Sequence, residues 1–195
     1  PSRGLGDVYK RQREELDKIL TRIQEGRFTY SERSILECTH PHGTAYAVNE
    51  LVIKGATRLV GLQLIINGQP IRKIRGDGFI VGTATGSTGY LLAAGSPIVM
   101  PELRCMILSG LNEYDFRARH LVVTNDSNIE IILLPNSREK EIYLAADGNR
   151  KGSLSIGDRV FIRESDRRAK LIFMESDYFF QNLSSRLSWF NRFEG

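Results

Sequence analysis

The spacing of hydrophobic residues along the chain changes once, from the period of a helix to the period of a strand. Near the start, apolar residues recur at intervals of three and four, which predicts an amphipathic helix over residues 13–25 that ends at Gly26. Its apolar residues are Leu16, Ile19, Leu20 and Ile23. From residue 27 onward, short runs rich in Val, Ile, Leu and aromatic residues alternate with turn residues, which predicts strands. These runs are RSILECTH, AYAVNELVI, RLVGLQLII, PIRKI, HLVVT, NIEIILLP, EIYLAAD, DRVFIRE and AKLIFME.

The connections between these strands predict the fold class. Asn67-Gly68 and Asp147-Gly148 are dipeptides typical of two-residue hairpin turns. No helix-length segment separates successive strands, so the pattern favours antiparallel sheets over a doubly wound parallel sheet. We therefore expect a mainly β protein, an antiparallel β-sandwich with flanking helices. A last helix is predicted after Asp177, with apolar anchors at Tyr178, Phe179, Leu183 and Leu187 before Trp189.

Composition and charge exclude several classes of protein. With 195 residues, 41% of them apolar and 26% charged, the chain has the composition of an ordinary globular domain. No apolar run reaches the roughly 18 residues of a membrane span, so no membrane role is expected. The two cysteines are too few for a disulfide framework and no secretory leader is evident, which predicts a cytoplasmic protein.

The first twelve residues, PSRGLGDVYKRQ, have no helical or strand period and resemble a translated sequencing adapter, so we expect residues 1–12 to be non-native. They carry +2 of the formal net charge of +4. The charge that remains is too small to indicate a nucleic-acid partner.

The segment GDGFIVGTATGSTGYLLAAGSP, residues 76–97, combines six glycines with five Ser or Thr residues. Glycines at positions 82, 86 and 89 would let the main chain approach a ligand closely, and the hydroxyl groups suit a phosphate or a ribose. A tight turn that needs glycine for its conformation explains the same residues. Neither the P-loop nor the G-x-G-x-x-G fingerprint matches, so both interpretations stay open.

Two further polar features lie near apolar strands. Asp77 stands between glycines with Arg75 two residues before it, and the pair could bind ribose hydroxyls and phosphate or could be a solvated turn. Asn49 and Glu50 interrupt an apolar strand, where at least one of them must face a core or a cleft unless the strand lies at a sheet edge. The segment CTHPHG offers Cys38, His40 and His42, but no second ligand pair follows at zinc spacing, so no metal site is expected.

Several motifs together resemble, in the same order, the C-terminal domain of the NAD kinase family. They are NELVI, RGDGFIVGTATGSTGYLLAAGSPIV, RARHLVV, DGN, GDRVFIRES and YFFQNLSSRLSW. The family forms are close to an Asn-Glu strand, an acidic-Gly strand leading into TPTGSTAY, RPLV, an Asp-Gly-Gln hairpin and a Leu-Gly-Trp ending. The resemblance extends over roughly residues 13–190 and implies the β-sandwich dinucleotide-binding domain of a cytosolic kinase.

The resemblance also implies an activity. Members transfer a phosphoryl group from ATP, or from polyphosphate in some of them, to the 2'-hydroxyl of the adenosine ribose of NAD, with Mg²⁺ bridging the ATP phosphates. Their N-terminal α/β domain carries a GGDGT loop, which is absent here. We therefore expect residues 13–26 to connect to that domain, residues 27–195 to be the dinucleotide-binding domain, and the catalytic carboxylate to lie outside this chain. The 195-residue chain alone is expected to be inactive, and the family likeness predicts a homo-oligomer.

The resemblance assigns particular residues to the dinucleotide: Asn49, Glu50, Arg75, Asp77, Thr85, Thr88, Gly89, Tyr90, Ala93 and Asn149. The chain departs from the family pattern where Ala84 and His120 replace prolines, Gly89 replaces alanine, Ala93 replaces serine and Asn149 replaces glutamine. A non-catalytic dinucleotide sensor or assembly module built on the same fold is the alternative. A relative of the lipid kinases should lack both TGSTGY and the Asn-Glu pair.

Overall fold

The computed structural model describes residues 5–173, 179–180 and 183. The helices are α1 (Leu5–Gln24) and α2 (Tyr90–Ala93), and a 3₁₀ turn spans Thr85–Thr88. The strands are β1 (Thr29–His40), β2 (Gly43–Ala47), β3 (Glu50–Gly55), β4 (Val60–Ile66), β5 (Gln69–Gly76), β6 (Gly78–Thr83), β7 (Cys105–Leu111), β8 (Leu121–Thr124), β9 (Ile129–Leu133), β10 (Ile142–Ala146), β11 (Asn149–Leu154) and β12 (Arg159–Phe173). Among these residues, none of the helices has the length and apolar character needed to pass through a bilayer.

The strands form two six-stranded sheets. The first sheet has the order β2-β1-β12-β9-β4-β5, and the second has the order β11-β10-β3-β6-β7-β8. Every strand pair whose register is described is antiparallel. The predicted fold class, mainly antiparallel β with few helices, is therefore confirmed.

The chain divides into two compact units. Residues 32–169 form one unit, which contains most of the two sheets, and the described residues before 32 and after 169, α1 among them, belong to a second unit. Within the second unit, Thr29 Oγ1 donates a hydrogen bond to the Phe173 carbonyl at 3.3 Å.

Side chains from both sheets share the main hydrophobic core. Leu36 and Leu62 come from the first sheet, and Leu51, Ile53 and Phe79 come from the second, each at most 1% exposed. Alternate residues of each strand point inward, which is why the period of two in the sequence marks this core.

The second sheet is also buried on its outer face. Val52, Ile80 and Ile107 project away from the main core and pack with Leu91 of α2, which is fully buried. Because both faces of β3, β6 and β7 are covered, their sequences are nearly continuous in apolar residues. Glu50, the first residue of β3, lies on this outer face because it alternates with Val52.

Both predicted hairpin turns are present. Asn67 has φ 50° and Gly68 has φ 76°, while Asp147 has φ 45° and Gly148 has φ 77°. Two consecutive left-handed residues are typical of a type I′ turn, whose twist matches that of the flanking strands. The turns connect β4 to β5 and β10 to β11.

Several predicted boundaries are wrong. Helix α1 begins at Leu5, eight residues before the predicted start; Lys10, Arg11 and Gln12 are good helix formers that extend it without an apolar period, although Gly6 and Asp7 are not. The run AYAVNELVI divides into β2 and β3, the last two predicted strands are one strand, β12, and neither β7 nor β11 was predicted. The predicted C-terminal helix lies mostly outside the described residues, of which 179, 180 and 183 are helical.

Candidate functional site

The carboxylate of Asp147 fixes the main chain where β3 begins. Its oxygens accept hydrogen bonds from the main-chain N–H groups of Val48, Asn49 and Glu50 at 2.8, 2.8 and 3.0 Å. In return, the Asp147 N–H donates to the Glu50 carbonyl at 3.0 Å. The Asp-Gly turn is therefore more than a hairpin connection, because its side chain determines the path of the Asn49-Glu50 segment.

The turn that follows β6 packs directly on this segment. Thr83 donates its N–H to the Asn49 carbonyl at 2.9 Å and its hydroxyl to the Val48 carbonyl at 2.6 Å, and the hydroxyl oxygen accepts from Gly86 N–H at 3.1 Å. A Cβ atom on Gly86 would lie only 2.2 Å from the Asn49 carbonyl oxygen. Glycine is therefore required at position 86 because two main-chain segments approach closely there, and not because the residue has a left-handed conformation.

Ser87 has a structural role in this turn. It is fully buried, donates its hydroxyl to the Val99 carbonyl at 3.1 Å and accepts from the Val99 N–H at 3.0 Å. Its hydroxyl thus satisfies both main-chain groups of Val99 and holds the segment after α2 against the turn.

Glu50 is a buried carboxylate with incomplete hydrogen bonding. It is 8% exposed, and within the described part of the chain its Oε2 atom has no hydrogen-bond partner. Burial, and secondly the negative charge of Asp147, raise the pKa of Glu50, while a hydrogen bond from the Tyr90 N–H acts in the opposite direction. A Cβ atom on Gly89 would lie 3.0 Å from Oε2, so the carboxylate faces the Gly89 main chain.

These contacts bring most of the predicted site residues together at one end of the second sheet. We call this group the Asn49 cluster: Asn49, Glu50, Thr85, Thr88, Gly89, Tyr90, Ala93 and Asn149. Asn149 joins it through the turn, because its side-chain amide donates to the Asp147 carbonyl at 3.2 Å. Asn49 is half-buried, and among the described residues its hydrogen bond to Asp147 is made by the main-chain N–H and leaves the side-chain amide unpaired. The edge-strand explanation for Asn49 and Glu50 is wrong, since β3 lies inside the sheet.

Arg75 and Asp77 lie elsewhere, at the opposite end of β6. Gly78 pairs with Lys54 at that end, whereas Gly82 pairs with Glu50 at the other, four residues or about 13 Å away. Asp77 accepts a hydrogen bond from the Asn112 side chain at 2.7 Å, and the Arg75 guanidinium lies 5.9 Å from the centre of the Tyr114 ring. We call Arg75, Asp77, Asn112 and Tyr114 the Asp77 cluster.

The side chain of Tyr90 reaches from one cluster toward the other. Its hydroxyl accepts a hydrogen bond from Lys54 Nζ at 3.5 Å. Lys54 pairs with Gly78, the residue that follows Asp77. Glu50, Val52 and Lys54 alternate onto the same outer face of β3, so this face extends from one cluster to the other.

The histidines and cysteines lie outside both clusters. His42 Nε2 lies 2.7 Å from the Ser153 carbonyl, and burial together with His42 lowers the pKa of His40. Burial raises the pKa of Cys38 to about 12, so its thiol stays protonated. Across the described residues, no three His, Cys, Asp or Glu side chains are grouped in a way that could hold a metal ion.

Sequence reasoning missed the part played by Asp147 and Thr83. Asp147 was noted only as a turn residue, although a carboxylate in an Asp-Gly turn next to a polar interruption in a strand can accept main-chain N–H groups. The partner segment lies nearly 100 residues away, with separations of 97 to 99 along the chain, so no local pattern indicates the pairing.

Comparison with known proteins places these features in a family. Residues 48–174 match the family model described as ATP-NAD kinase C-terminal domain, a range that contains all ten predicted site residues. The NAD kinase of Lachnoclostridium phytofermentans is 35% identical over 144 residues, which cover 72% of this chain and 50% of that relative. The NAD kinase of Geobacter metallireducens is 31% identical over 195 residues, which cover 96% of this chain and 68% of that relative.

Solved structures share the fold. Yeast NADH kinase complexed with NADH matches with a TM-score of 0.85 at 21% identity, covering 92% of this chain and 55% of the yeast chain. An NAD kinase from Archaeoglobus fulgidus in complex with ATP matches with a TM-score of 0.71 at 26% identity, covering 88% and 64% of the two chains. The chain thus spans between one half and about two thirds of the length of these relatives. On the match over residues 48–174 and the identity to curated relatives, the chain belongs to the ATP-NAD kinase family, of which it contains the C-terminal domain.

Proposed function

We propose that this protein is an NAD kinase, which transfers a phosphoryl group from ATP to the 2'-hydroxyl of the adenosine ribose of NAD and so forms NADP. In this proposal the chain supplies the dinucleotide-binding part of the enzyme. Family membership supports the reaction class, and the names of the relatives, NAD kinase and NADH kinase, support a nicotinamide dinucleotide as the acceptor.

One observation about the site carries the proposal. Among the described residues, the buried Glu50 Oε2 atom and the half-buried Asn49 side-chain amide have no hydrogen-bond partner, although Asp147 fixes the main chain of both residues. A carboxylate oxygen withdrawn from water, as Glu50 Oε2 is, is costly unless it is paired, and the Asn49 amide is free to bind a ligand beside it. A bound ligand that offers hydroxyl or amino donors would pair them, as a ribose and an adenine do.

The proposal assigns each half of the dinucleotide to one cluster. Asn49, Thr85, Thr88 and Tyr90 would contact the adenosine side, where Gly89 leaves main-chain groups accessible, with Glu50, Ala93 and Asn149 lining the same end. Arg75 and Asp77, about 13 Å along β6, would bind the other ribose or the nicotinamide amide. A separation of about 13 Å between the two clusters suits an extended dinucleotide better than a compact one.

The chemical contribution of these residues is positional. Phosphoryl transfer depends on in-line alignment of the acceptor hydroxyl and the phosphate, more than on covalent chemistry by the protein. Hydrogen bonds from a fixed Asn49 and from the Thr85–Thr88 turn would orient the adenosine ribose and exclude water from one side. The general base is expected on the N-terminal α/β domain that the family likeness implies.

ATP would be the phosphoryl donor, and magnesium would accompany its phosphates. The described residues do not fit a magnesium site of their own, because they contain no group of three potential ligands. We therefore derive no step through the metal from this chain.

We further propose a cytoplasmic homo-oligomer. Two free, buried cysteines suit a reducing compartment. The family likeness supports assembly of identical subunits, and sedimentation velocity of the purified protein would measure it.

A coupled assay that follows NADP formation tests the proposed function. We expect the full-length protein to turn over NAD with ATP and magnesium, and the 195-residue chain alone to give no detectable NADP, since loss of general base assistance costs about 10²- to 10⁴-fold before any loss of ATP positioning. Clear turnover by the chain alone, abolished by Asp77→Asn, would show that the catalytic carboxylate lies within it. Absence of turnover by the full-length protein, with NAD binding intact, would favour a dinucleotide sensor.

A further inference from the structure

A histidine and two serines form a hydrogen-bonded group beside α2 that the proposed site does not include. His120 Nδ1 lies 2.8 Å from Ser109 Oγ and 3.3 Å from Ser96 Oγ. Ser109 is fully buried and Ser96 is 5% exposed, while His120 is half-buried. We call these three residues the His120 bridge.

The bridge joins two parts of the fold that are distant in sequence. Ser109 belongs to β7, whereas Ser96 lies in the turn that ends α2, where its N–H donates to the Leu91 carbonyl at 3.0 Å. The imidazole also lies against this turn, because a Cβ atom on Gly95 would be 3.8 Å from His120 Nε2. The histidine therefore connects the C-terminal end of α2 to the sheet beneath it.

The two serines meet His120 at one ring atom. Ser109 Oγ lies within hydrogen-bond distance of both the Gly110 carbonyl, at 3.2 Å, and His120 Nδ1, at 2.8 Å. Whether Nδ1 donates or accepts follows the ring tautomer, and in either case it connects Ser109 with Ser96. Leu91 holds α2 to the sheet through apolar contacts, and the His120 bridge adds hydrogen bonds at the C-terminal end of the helix.

We propose that His120 is a positioning residue for the dinucleotide site. By holding the turn at Gly95 and Ser96 to β7, it fixes α2, and α2 begins with Tyr90 directly after Gly89, in the Asn49 cluster. Helix α2 has only four residues, so its own hydrogen bonds are too few to keep it in place. The part concerning ligand affinity rests on the proposed function, whereas the part concerning the order of α2 does not.

Hydrogen–deuterium exchange and NAD titration of the full chain test the bridge. The informative pair is His120→Leu, which removes the hydrogen bonds, and His120→Asn, whose side-chain amide can donate or accept a hydrogen bond close to the position of Nδ1. His42→Leu is the matched control, since His42 contacts the Ser153 carbonyl on another hairpin. Ser96→Ala is a second variant that removes only the contact with the turn.

We expect the amides of residues 94–96 to exchange about fivefold to tenfold faster in His120→Leu, as loss of one or two hydrogen bonds implies. The affinity of this variant for NAD should fall by a similar factor. His120→Asn should restore both the slow exchange and the affinity, whereas His42→Leu should change neither of them. Ser96→Ala should also speed exchange and lower the affinity for NAD, but by less than His120→Leu.

Two results would overturn the proposal. Unchanged exchange at residues 94–96 in both His120→Leu and Ser96→Ala would show that the bridge does not hold α2. Faster exchange with unchanged NAD affinity would show that it does not position the ligand site. If the unmodified chain binds no NAD, the proposed function fails, and the exchange measurement still decides whether the bridge holds α2.

Discussion

Replacing Asp147 by alanine tests whether its carboxylate stabilises the Asn49 segment by more than an ordinary hairpin turn residue would. The substitution removes the acceptor for the N–H groups of Val48, Asn49 and Glu50, at 2.8 to 3.0 Å, and places alanine at φ 45°. A hydrogen bond to a charged group contributes about 1.5–3 kcal/mol, but three bonds to one carboxylate are not additive. With about 1 kcal/mol for the left-handed conformation, we expect a loss of about 3–5 kcal/mol in the free energy of unfolding.

Asn67→Ala is the matched control in the other hairpin. Asn67 also precedes glycine, has φ 50°, and accepts one main-chain hydrogen bond, from Asn128 N–H at 2.8 Å. Its replacement should cost about 1–2 kcal/mol, because a single neutral hydrogen bond is lost. The loss of unfolding free energy in Asp147→Asn should lie between these two values, because asparagine keeps one oxygen acceptor and adopts the left-handed conformation more readily than alanine does.

Urea denaturation at pH 7 measures these differences, and thermal melting should show a decrease of about 6–20 °C for Asp147→Ala, at about 2–4 °C per kcal/mol for a protein of this size. The affinity for NAD should fall as well, because the Asn49 main chain loses its support. If Asp147→Ala costs no more than Asn67→Ala, the carboxylate does not fix the Asn49 segment and the account of the site is wrong.

Three further substitutions test individual groups. Glu139 accepts four main-chain N–H groups, which lower its pKa from 4.5 to about 2, so its stabilisation is present above pH 4.5 and is lost toward pH 2. In urea denaturation, Glu139→Gln should therefore be less stable at pH 7, with a gap that shrinks between pH 4.5 and 2; a pH-independent gap would contradict this. The pKa of Glu50 is raised, so its ionised form destabilises the fold above the usual carboxyl pKa, and Glu50→Gln should gain stability at pH 7 yet bind NAD more weakly. A loss of stability at pH 7 would show that the charge is well accommodated. Ala84 has φ −56°, within the range of proline, and makes no described N–H hydrogen bond, so Ala84→Pro should raise stability by about 0.4–1 kcal/mol in thermal melts; a decrease would indicate that the ring clashes.

The alternating strands were predictable because each has one face on the core between the sheets. The hairpins were predictable because Asn-Gly and Asp-Gly dipeptides favour two left-handed residues in succession. Strand β7, Cys105–Leu111, was missed because it is buried on both faces and has no alternation. Strand β11, Asn149–Leu154, was missed for the opposite reason, since it is a polar edge strand with little buried surface.

The sequence was enough to select residues of the candidate site, but it was not enough to predict how they are arranged in space. Asn49 and Glu50 were selected because polar residues in an apolar strand need an explanation, and Glu50 is indeed buried. Their support by Asp147 could not be predicted, because it joins residues 97 to 99 positions apart. The separation of Asp77 from Asn49 depends on the register of β3 with β6, which the local pattern does not determine.

Calorimetric titration of the 195-residue chain with NAD tests the central claim most directly. We expect weak but specific binding of NAD and NADP, because one wall of the proposed cleft leaves the ligand partly hydrated. Asn49→Ala should lower the affinity about tenfold, as expected for one buried polar contact, whereas Asn128→Ala, an exposed residue in the first sheet's turn region, should have no effect. Equal binding of unrelated phosphates, or an Asn49→Ala variant that binds NAD as tightly as the unmodified chain, would contradict the account.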